Sequence, residues 1–415
     1  MSAPLVMRFC MVTTFYPPYH FGGDAVFVQA LARGLTEAGH QVEVVHCEDA
    51  YRLKQKAPPV TSENADGVVV HRLRSRLGWL SPLITQQTGR PGLKARQLRR
   101  ILSRDFDVVN FHNVSLVGGP GILALSSAKV NLYTIHEHWL LCPMHTFWKN
   151  DTRSCDSPQC LRCCMRSGIP PQLWRYTNLI PRNLSNLDAF LSPSRYTAQR
   201  HREGGVQVPV HLLPTFTNIP CRSSEIVSSS RPCFLFAGRV TASKGIVSLV
   251  EEFSSLPQYD LLIAGDGDLR PNLQQKYAAC KNVLFLGALS RTDLVPLYEM
   301  ATALVLPSLA PEVFPLAVLE SLACGTPAIV HNVGGSREAI DQTGAGIVYE
   351  SAAELRCAVH KLASDTSLRK ELGRKARKGY EEHYTQEHYI KRYLDVIAAI
   401  PQRSSVATQK THSVS

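Results

Sequence analysis

The chain repeats one pattern in each half: a short apolar run, a helical segment, then another short run. In the first half the runs lie at 9–12, 42–45, 107–111, 131–135 and 189–191. In the second they lie at 233–237, 261–264, 283–286, 303–306, 328–330 and 346–348. Runs this short, largely apolar and spaced by helices, argue for strands of mainly parallel sheets. After the first run, Phe27, Leu31 and Leu35 fall at i, i+4 and i+8, and Gly39 stops that helix. The fold class read from this is α/β, with two doubly wound, Rossmann-like domains. Such pairs bind ligands in the cleft between them, at the carboxyl ends of the strands.

The 415 residues suit two to three domains at roughly 100–200 residues each, and the 44% hydrophobic content excludes a largely disordered chain. Asn218, Pro220 and a serine run at 228–230 interrupt the pattern and mark the join. The expected organisation is an N-terminal domain at 1–217 with a cysteine-rich insertion at 136–168, and a C-terminal domain at 218–385. A helix at 386–400, carrying Tyr389, Tyr393, Val396 and Ile397, packs back on the N-terminal domain, and 401–415 forms a disordered tail.

The net charge of +11 is unevenly spread. Between 71 and 104 the chain carries Arg72, Arg74, Arg76, Arg90, Lys94, Arg96, Arg99, Arg100 and Arg104, and no acid. Trp79, Leu80, Leu83 and Ile84 sit among these cations, a composition suited to an anionic membrane surface. No run approaches the ~18 apolar residues of a membrane span. The first apolar run leads straight into Tyr16-Pro17-Pro18 and a glycine pair, which reads as a strand and its loop rather than a secretory signal. The expected location is cytoplasmic, peripheral on the inner face of the membrane.

Twelve cysteines without such a signal point to a reducing compartment, where clustered thiols suggest metal before disulfide. Cys160-x2-Cys163 has knuckle spacing, and Cys142 and Cys155 complete a tetrahedral thiolate set for a structural zinc. The alternative is reduced, partly buried thiols.

The residues that carry chemistry lie mostly in the second half. Phe236-Ala237-Gly238-Arg239 ends a strand and Lys244-Gly245 opens the next helix, so Arg239 and Lys244 form a cation pair able to hold phosphate at a helix N-terminus. Glu312 falls in a loop after the strand at 303–306, Pro315 suits a first helical turn, and Glu320 lies inside that helix. Two carboxylates flanking an apolar helix start need donors, and sugar or ribose hydroxyls are suitable ones. Asp266-Gly267-Asp268 is read as a turn rather than a metal motif, and Gly265-x-Gly267 alone is a weak dinucleotide signal.

Glu312-x7-Glu320, with Pro307-Ser308 before it and Ala323-Cys324-Gly325-Thr326-Pro327 after it, resembles the signature of retaining glycosyltransferase family 4, the glycosyl transferases group 1 with the GT-B fold. The resemblance covers most of the chain. Gly22-Gly23 and Gly39-His40 resemble that family's N-terminal loop and helix. Gly238, Arg239 and Lys244 resemble its diphosphate clamp. Gly265 and Leu286, in 262–267 and 285–287, resemble its nucleoside-side strands. Val333-Gly334-Gly335 and Glu338 resemble the loop after the acidic motif. The resemblance implies that Arg239 and Lys244 neutralise a diphosphate leaving group. It also implies that Glu320 accepts from ribose, that Glu312 accepts from the transferred sugar, and that amides near Phe314, Pro315 and Leu316 add donors. His136 matches a histidine facing the reacting sugar, with His112 a weaker candidate.

The function implied is metal-independent, retaining transfer of a sugar from a nucleoside-diphosphate donor to a hydroxyl acceptor, saccharide or lipid-linked, in glycan, polysaccharide or glycolipid assembly. No catalytic cofactor and no nucleic-acid partner are expected. The alternatives are a sugar-nucleotide isomerase (epimerase) on the same fold, or a catalytically silent nucleotide-sugar-binding subunit.

Overall fold

The computed structural model describes residues 6–55, 67–150, 152–220 and 231–403. The N-terminal domain contains β1 (Arg8–Val12), β2 (Gln41–Cys47), β3 (Val69–Leu73), β4 (Val108–Phe111), β5 (Val130–Thr134), the short hairpin β6 (Trp148–Lys149) and β7 (Arg153–Ser154), β8 (Ala189–Ser192) and β9 (Val210–Leu212). Seven of these form one sheet in the order β3-β2-β1-β4-β5-β8-β9. The C-terminal domain contains β10 (Cys233–Ala237), β11 (Asp260–Ala264), β12 (Val283–Gly287), β13 (Ala303–Leu306), β14 (Ala328–His331) and β15 (Gly346–Tyr349), ordered β12-β11-β10-β13-β14-β15. All pairings in both sheets are parallel.

Strand order reverses between β1 and β4 in the first sheet and between β10 and β13 in the second. Each reversal opens a crevice where helices leave on opposite faces of the sheet. Both sheets carry an apolar cluster on each face, which is why their strands show no polar alternation. The sequence pattern locates all six strands of the second sheet and misses β3 and β9 in the first. Both are edge strands, and their mixed burial lets His71, Arg72 and His211 sit within them.

The helix Gln386–Ala399 crosses back and completes the N-terminal core. Its Tyr389, Tyr393 and Ile397 join Phe9, Phe27 and Phe216 in one cluster. Tyr393 is fully buried, its ring 6.1 Å from that of Phe9, and its hydroxyl accepts from Asn110 Nδ2 at 3.1 Å. Arg403 continues past the helix to pair with Asp188 at 2.8 Å, while the rest of the expected tail, 404–415, and the serine run of the join lie outside the described residues.

The basic stretch folds as β3, the helix Leu80–Thr88, a 3-10 turn at Gly92–Lys94 and the helix Ala95–Leu102. Two of its nine cations are engaged within the fold. Lys94 is fully buried, donating to Ser81 Oγ at 2.8 Å and Thr85 Oγ1 at 3.3 Å. Arg104 forks onto Glu43 at 2.6 and 2.7 Å.

Tyr393→Ala is expected to lower unfolding free energy by about 3–5 kcal/mol through the cavity it opens. Tyr393→Phe, which loses only the Asn110 bond, should cost about 1 kcal/mol. Urea unfolding of both variants checks this; equal, small effects would mean that the C-terminal helix is not part of the N-terminal core.

Candidate active site

The second crevice is assembled by close backbone approach. Gly245 has φ +68°, and a Cβ placed on it would lie 1.9 Å from Pro307 O. Only glycine lets the turn Ala242–Lys244 lie against the end of β13. The amides of Leu309 and Ala310 both donate to Ser243 O at 2.9 Å, fixing the loop that carries Glu312 beside Lys244. From the other side, Gly335 N donates to Glu312 O at 2.7 Å.

The side chains converge as a result. Lys244 Nζ donates to Glu312 Oε1, and Ser308 Oγ donates to the same oxygen at 2.6 Å. Burial raises the Glu312 pKa, but the charge and hydrogen bond of Lys244, the Ser308 hydroxyl and the Arg239 charge outweigh it and hold the carboxyl below its ordinary value. Arg239 is exposed at the end of β10, beside Gly238, whose amide donates to Ala264 O at 3.0 Å. Leu286 lies on the edge strand β12, one strand beyond Gly265 at the end of β11. The structure therefore gathers Arg239, Lys244 and Glu312, with Gly238, Gly265 and Leu286 along the flank.

Glu320 is buried in the helix Leu316–Ala323, and two side chains absent from the sequence reading hold it. Arg291 donates to Oε1 through Nε at 3.0 Å and Nη2 at 2.7 Å, and Tyr298 donates to Oε2 at 2.9 Å. Arg291 also bonds Thr217 Oγ1, in the segment that joins the domains. A carboxylate offers about four acceptor positions, so these bonds leave room for a further donor. The one local signal for Arg291 is its position at the start of a helix capped by Ser290, after a strand of the site.

In the N-terminal domain, β4 and β5 end at His112 and His136. His112 Nδ1 lies 2.9 Å from His136 Nε2, and the rings stack with centroids 5.1 Å apart. Burial lowers both pKa values, for His136 against the opposing charges of Asp24 and Glu137, so both imidazoles are neutral at pH 7. Gly23 and Asp24, at the start of the helix Gly23–Glu37, join His136 and Phe27 in lining a cleft whose far wall is Val313, Phe314 and Leu316. Gly22 precedes them in extended conformation. Pro315 is the N-cap residue of the helix Leu316–Ala323, whose first residue lines this cleft. Glu338 ties the two walls: its carboxylate accepts from Arg195 N at 2.7 Å and Tyr196 N at 2.8 Å, the opening amides of the helix Arg195–Glu203 across the cleft.

The cysteine-rich insertion follows His136. The structure does not draw Cys142, Cys155, Cys160 and Cys163 into a ligand set: among the described residues no three His, Cys, Asp or Glu side chains are grouped to hold a metal ion. Local backbone groups compete for the thiols instead. Cys142 bonds the backbone at Phe147 and Met144, Cys155 Sγ donates to Ser157 O at 3.6 Å, and Cys163 Sγ accepts from Asn150 N at 3.5 Å.

Comparison with known proteins gives two family matches in tandem. Residues 21–219 match Glycosyltransferase Family 4, and residues 222–379 match Glycosyl transferases group 1. The chain is 26% identical to an uncharacterized glycosyltransferase of Methanocaldococcus jannaschii, over 94% of this chain and 97% of that one. It is 28% identical to a glycogen synthase of Mycobacterium tuberculosis, over 89% of each chain. Its fold is that of the sucrose-phosphate synthase of Thermosynechococcus elongatus, with TM-score 0.73, 20% identity and coverage of 95% of this chain and 100% of that one. Anabaena HepE in complex with UDP and glucose superposes with TM-score 0.64 at 13% identity, over 95% and 100%.

The Lys244–Glu312 contact makes a pH-dependent contribution to stability. Because the Glu312 pKa is lowered, the contribution is complete above the ordinary carboxyl range and disappears as pH falls through the lowered value. Lys244→Met is expected to cost about 1.5–3 kcal/mol at pH 7. The gap to wild type should narrow below about pH 4.5. Urea unfolding across pH 3–8 tests this, and a gap independent of pH would refute the coupling.

Proposed function

The chain is a group 1 glycosyltransferase of the family 4 type, and on that premise we propose that it transfers a sugar, with retention of anomeric configuration, from a nucleoside diphosphate to a hydroxyl acceptor. The observation that carries this reading is the convergence of Arg239, Lys244 and Glu312 at the second crevice, on a loop whose continuation, Val313 to Leu316, faces His136. Arg239 and Lys244 take the diphosphate. Their charge offsets what builds on the leaving oxygen as the bond to the sugar breaks, without a metal ion. Glu312, held ionised, accepts from the transferred sugar. Glu320, oriented by Arg291 and Tyr298, accepts from ribose. His136, neutral and beside Asp24, faces the sugar from the other domain, where the acceptor hydroxyl enters. The acidic motif supports retention, and the UDP and glucose held by the Anabaena neighbour support a nucleotide-sugar donor.

Arg239→Ala and Lys244→Ala should each lower kcat by about 10²–10³. Glu320→Ala should mainly raise the donor KM, whereas Glu312→Ala should also lower kcat. The assay is acceptor-dependent release of nucleoside diphosphate in the presence of a chelator, with the product anomer read by NMR. An inverted product would refute retention. Altered sugar nucleotide without acceptor would favour the isomerase, and binding without turnover would favour the silent subunit.

A further inference from the structure

Two stretches of the N-terminal domain, separate in sequence, carry cations and no acid: 71–104 and 157–187. The fold packs them together. Trp174 Nε1 donates to Gln86 O at 2.7 Å, Gln86 Nε2 donates to Pro170 O at 3.4 Å, and the Trp174 ring abuts Gly89. Apolar side chains stand in solvent on both sides of this seam. Trp79 is 63% exposed beside Leu77 at 54%, ahead of the helix Leu80–Thr88. Leu173 and Tyr176 are 65% and 67% exposed. They are three residues apart in the 3-10 turn Leu173–Tyr176, so they share one side, while Trp174 between them is buried. Leu93 is also exposed, one helical turn before Arg96.

The cations that accompany them are free to act outward. Arg76, Arg90 and Arg96 in the first stretch, and Arg162 and Arg166 in the second, are exposed and have no acidic partner among the described residues. Aromatic and aliphatic side chains held out into water beside unpaired guanidinium groups match a bilayer interface, whose headgroups are anionic and whose acyl boundary takes the apolar tips. No described helix is long and apolar enough to cross a membrane, so the contact is made by a surface.

We infer that this two-stretch face docks the enzyme on an anionic lipid bilayer. The second stretch belongs to the segment that follows His136: Arg175 donates to Trp139 O at 2.8 Å and Leu140 O at 3.1 Å, three and four residues beyond that histidine. Docking therefore sets the acceptor side of the cleft near the headgroups, and a lipid-linked acceptor follows if the transferase reading holds. The lipid contact itself does not depend on that reading.

Tryptophan emission gives a direct readout. Of the four tryptophans, Trp139, Trp148 and Trp174 are buried and Trp79 alone is exposed. Adding vesicles of phosphatidylglycerol and phosphatidylcholine to the full chain should shift emission to the blue and sediment the protein. Phosphatidylcholine alone, or 0.5 M salt, should not support binding. Each neutralised arginine should weaken binding about fivefold, so Arg76→Gln/Arg96→Gln/Arg166→Gln together should weaken it about a hundredfold. Leu173→Ser/Tyr176→Ser should weaken binding at least tenfold, which the 71–104 stretch acting alone would not predict. Sugar transfer to a water-soluble acceptor, read as acceptor-dependent release of nucleoside diphosphate, should be unchanged in all of these variants. Unaltered sedimentation of either variant set, binding to neutral vesicles equal to that to anionic ones, preference for duplex nucleic acid, or self-association masking Trp79 without vesicles would each overturn the inference.

Discussion

The contact between the Ala242–Lys244 turn and the end of β13 sets the geometry of the C-terminal domain's chemistry. A glycine at 245 is the condition for it, since the Pro307 carbonyl occupies the space a side chain would need. From that contact follow the position of Lys244, the path of the 307–312 loop and the placement of Glu312 within reach of a cation. The acidic motif is therefore more than two carboxylates on one segment. One is held by the turn of a neighbouring strand, the other by Arg291 and Tyr298 from a third element. Electrostatics then does what the backbone permits: burial pushes the Glu312 carboxyl up, and Lys244, with Ser308 and Arg239, brings it below its ordinary value.

The strand series was legible because both sheets are covered on both faces, which leaves nearly pure apolar runs. It failed at β3 and β9 for the complementary reason: edge strands need to satisfy only part of that requirement and look polar. Arg239, Lys244 and Glu312 were legible because each lies where a strand hands over to a helix, a place marked by glycine or proline, and Glu320 because it follows Glu312 at the motif's spacing inside that helix. Their supporting groups were not. Arg291 lies 29 residues from Glu320, and Ser308 carries no mark beyond its position before the acid. Charge counting misplaced Lys94 for a similar reason. The hydroxyls that make its burial tolerable, Ser81 and Thr85, precede it by 13 and 9 residues, and composition does not show them turning inward together.

The domains meet through few polar contacts, each informative. Glu338 ends one helix of the N-terminal domain with a carboxylate from the other domain. Ser154, in the β6–β7 hairpin, donates to Leu309 O at 3.1 Å, next to the loop that carries Glu312. The insertion thus touches the wall that carries Glu312, and its Cys142, Cys155 and Cys163 thiols are engaged by the backbone turns that shape it.

The chain leaves the N-terminal domain near Thr217 and returns at Tyr384, and these two crossings touch: Thr217 N donates to Tyr384 O at 3.4 Å and the Tyr380 hydroxyl donates to Thr217 O at 2.8 Å. Topologically, the C-terminal domain is a guest inserted into a host. Tension applied to the two ends of the molecule would be carried within the host, first by Arg403 on Asp188 and then by Tyr393 against Phe9. The guest sheet, with the cation pair and both glutamates, would bear no load until the C-terminal helix had peeled away.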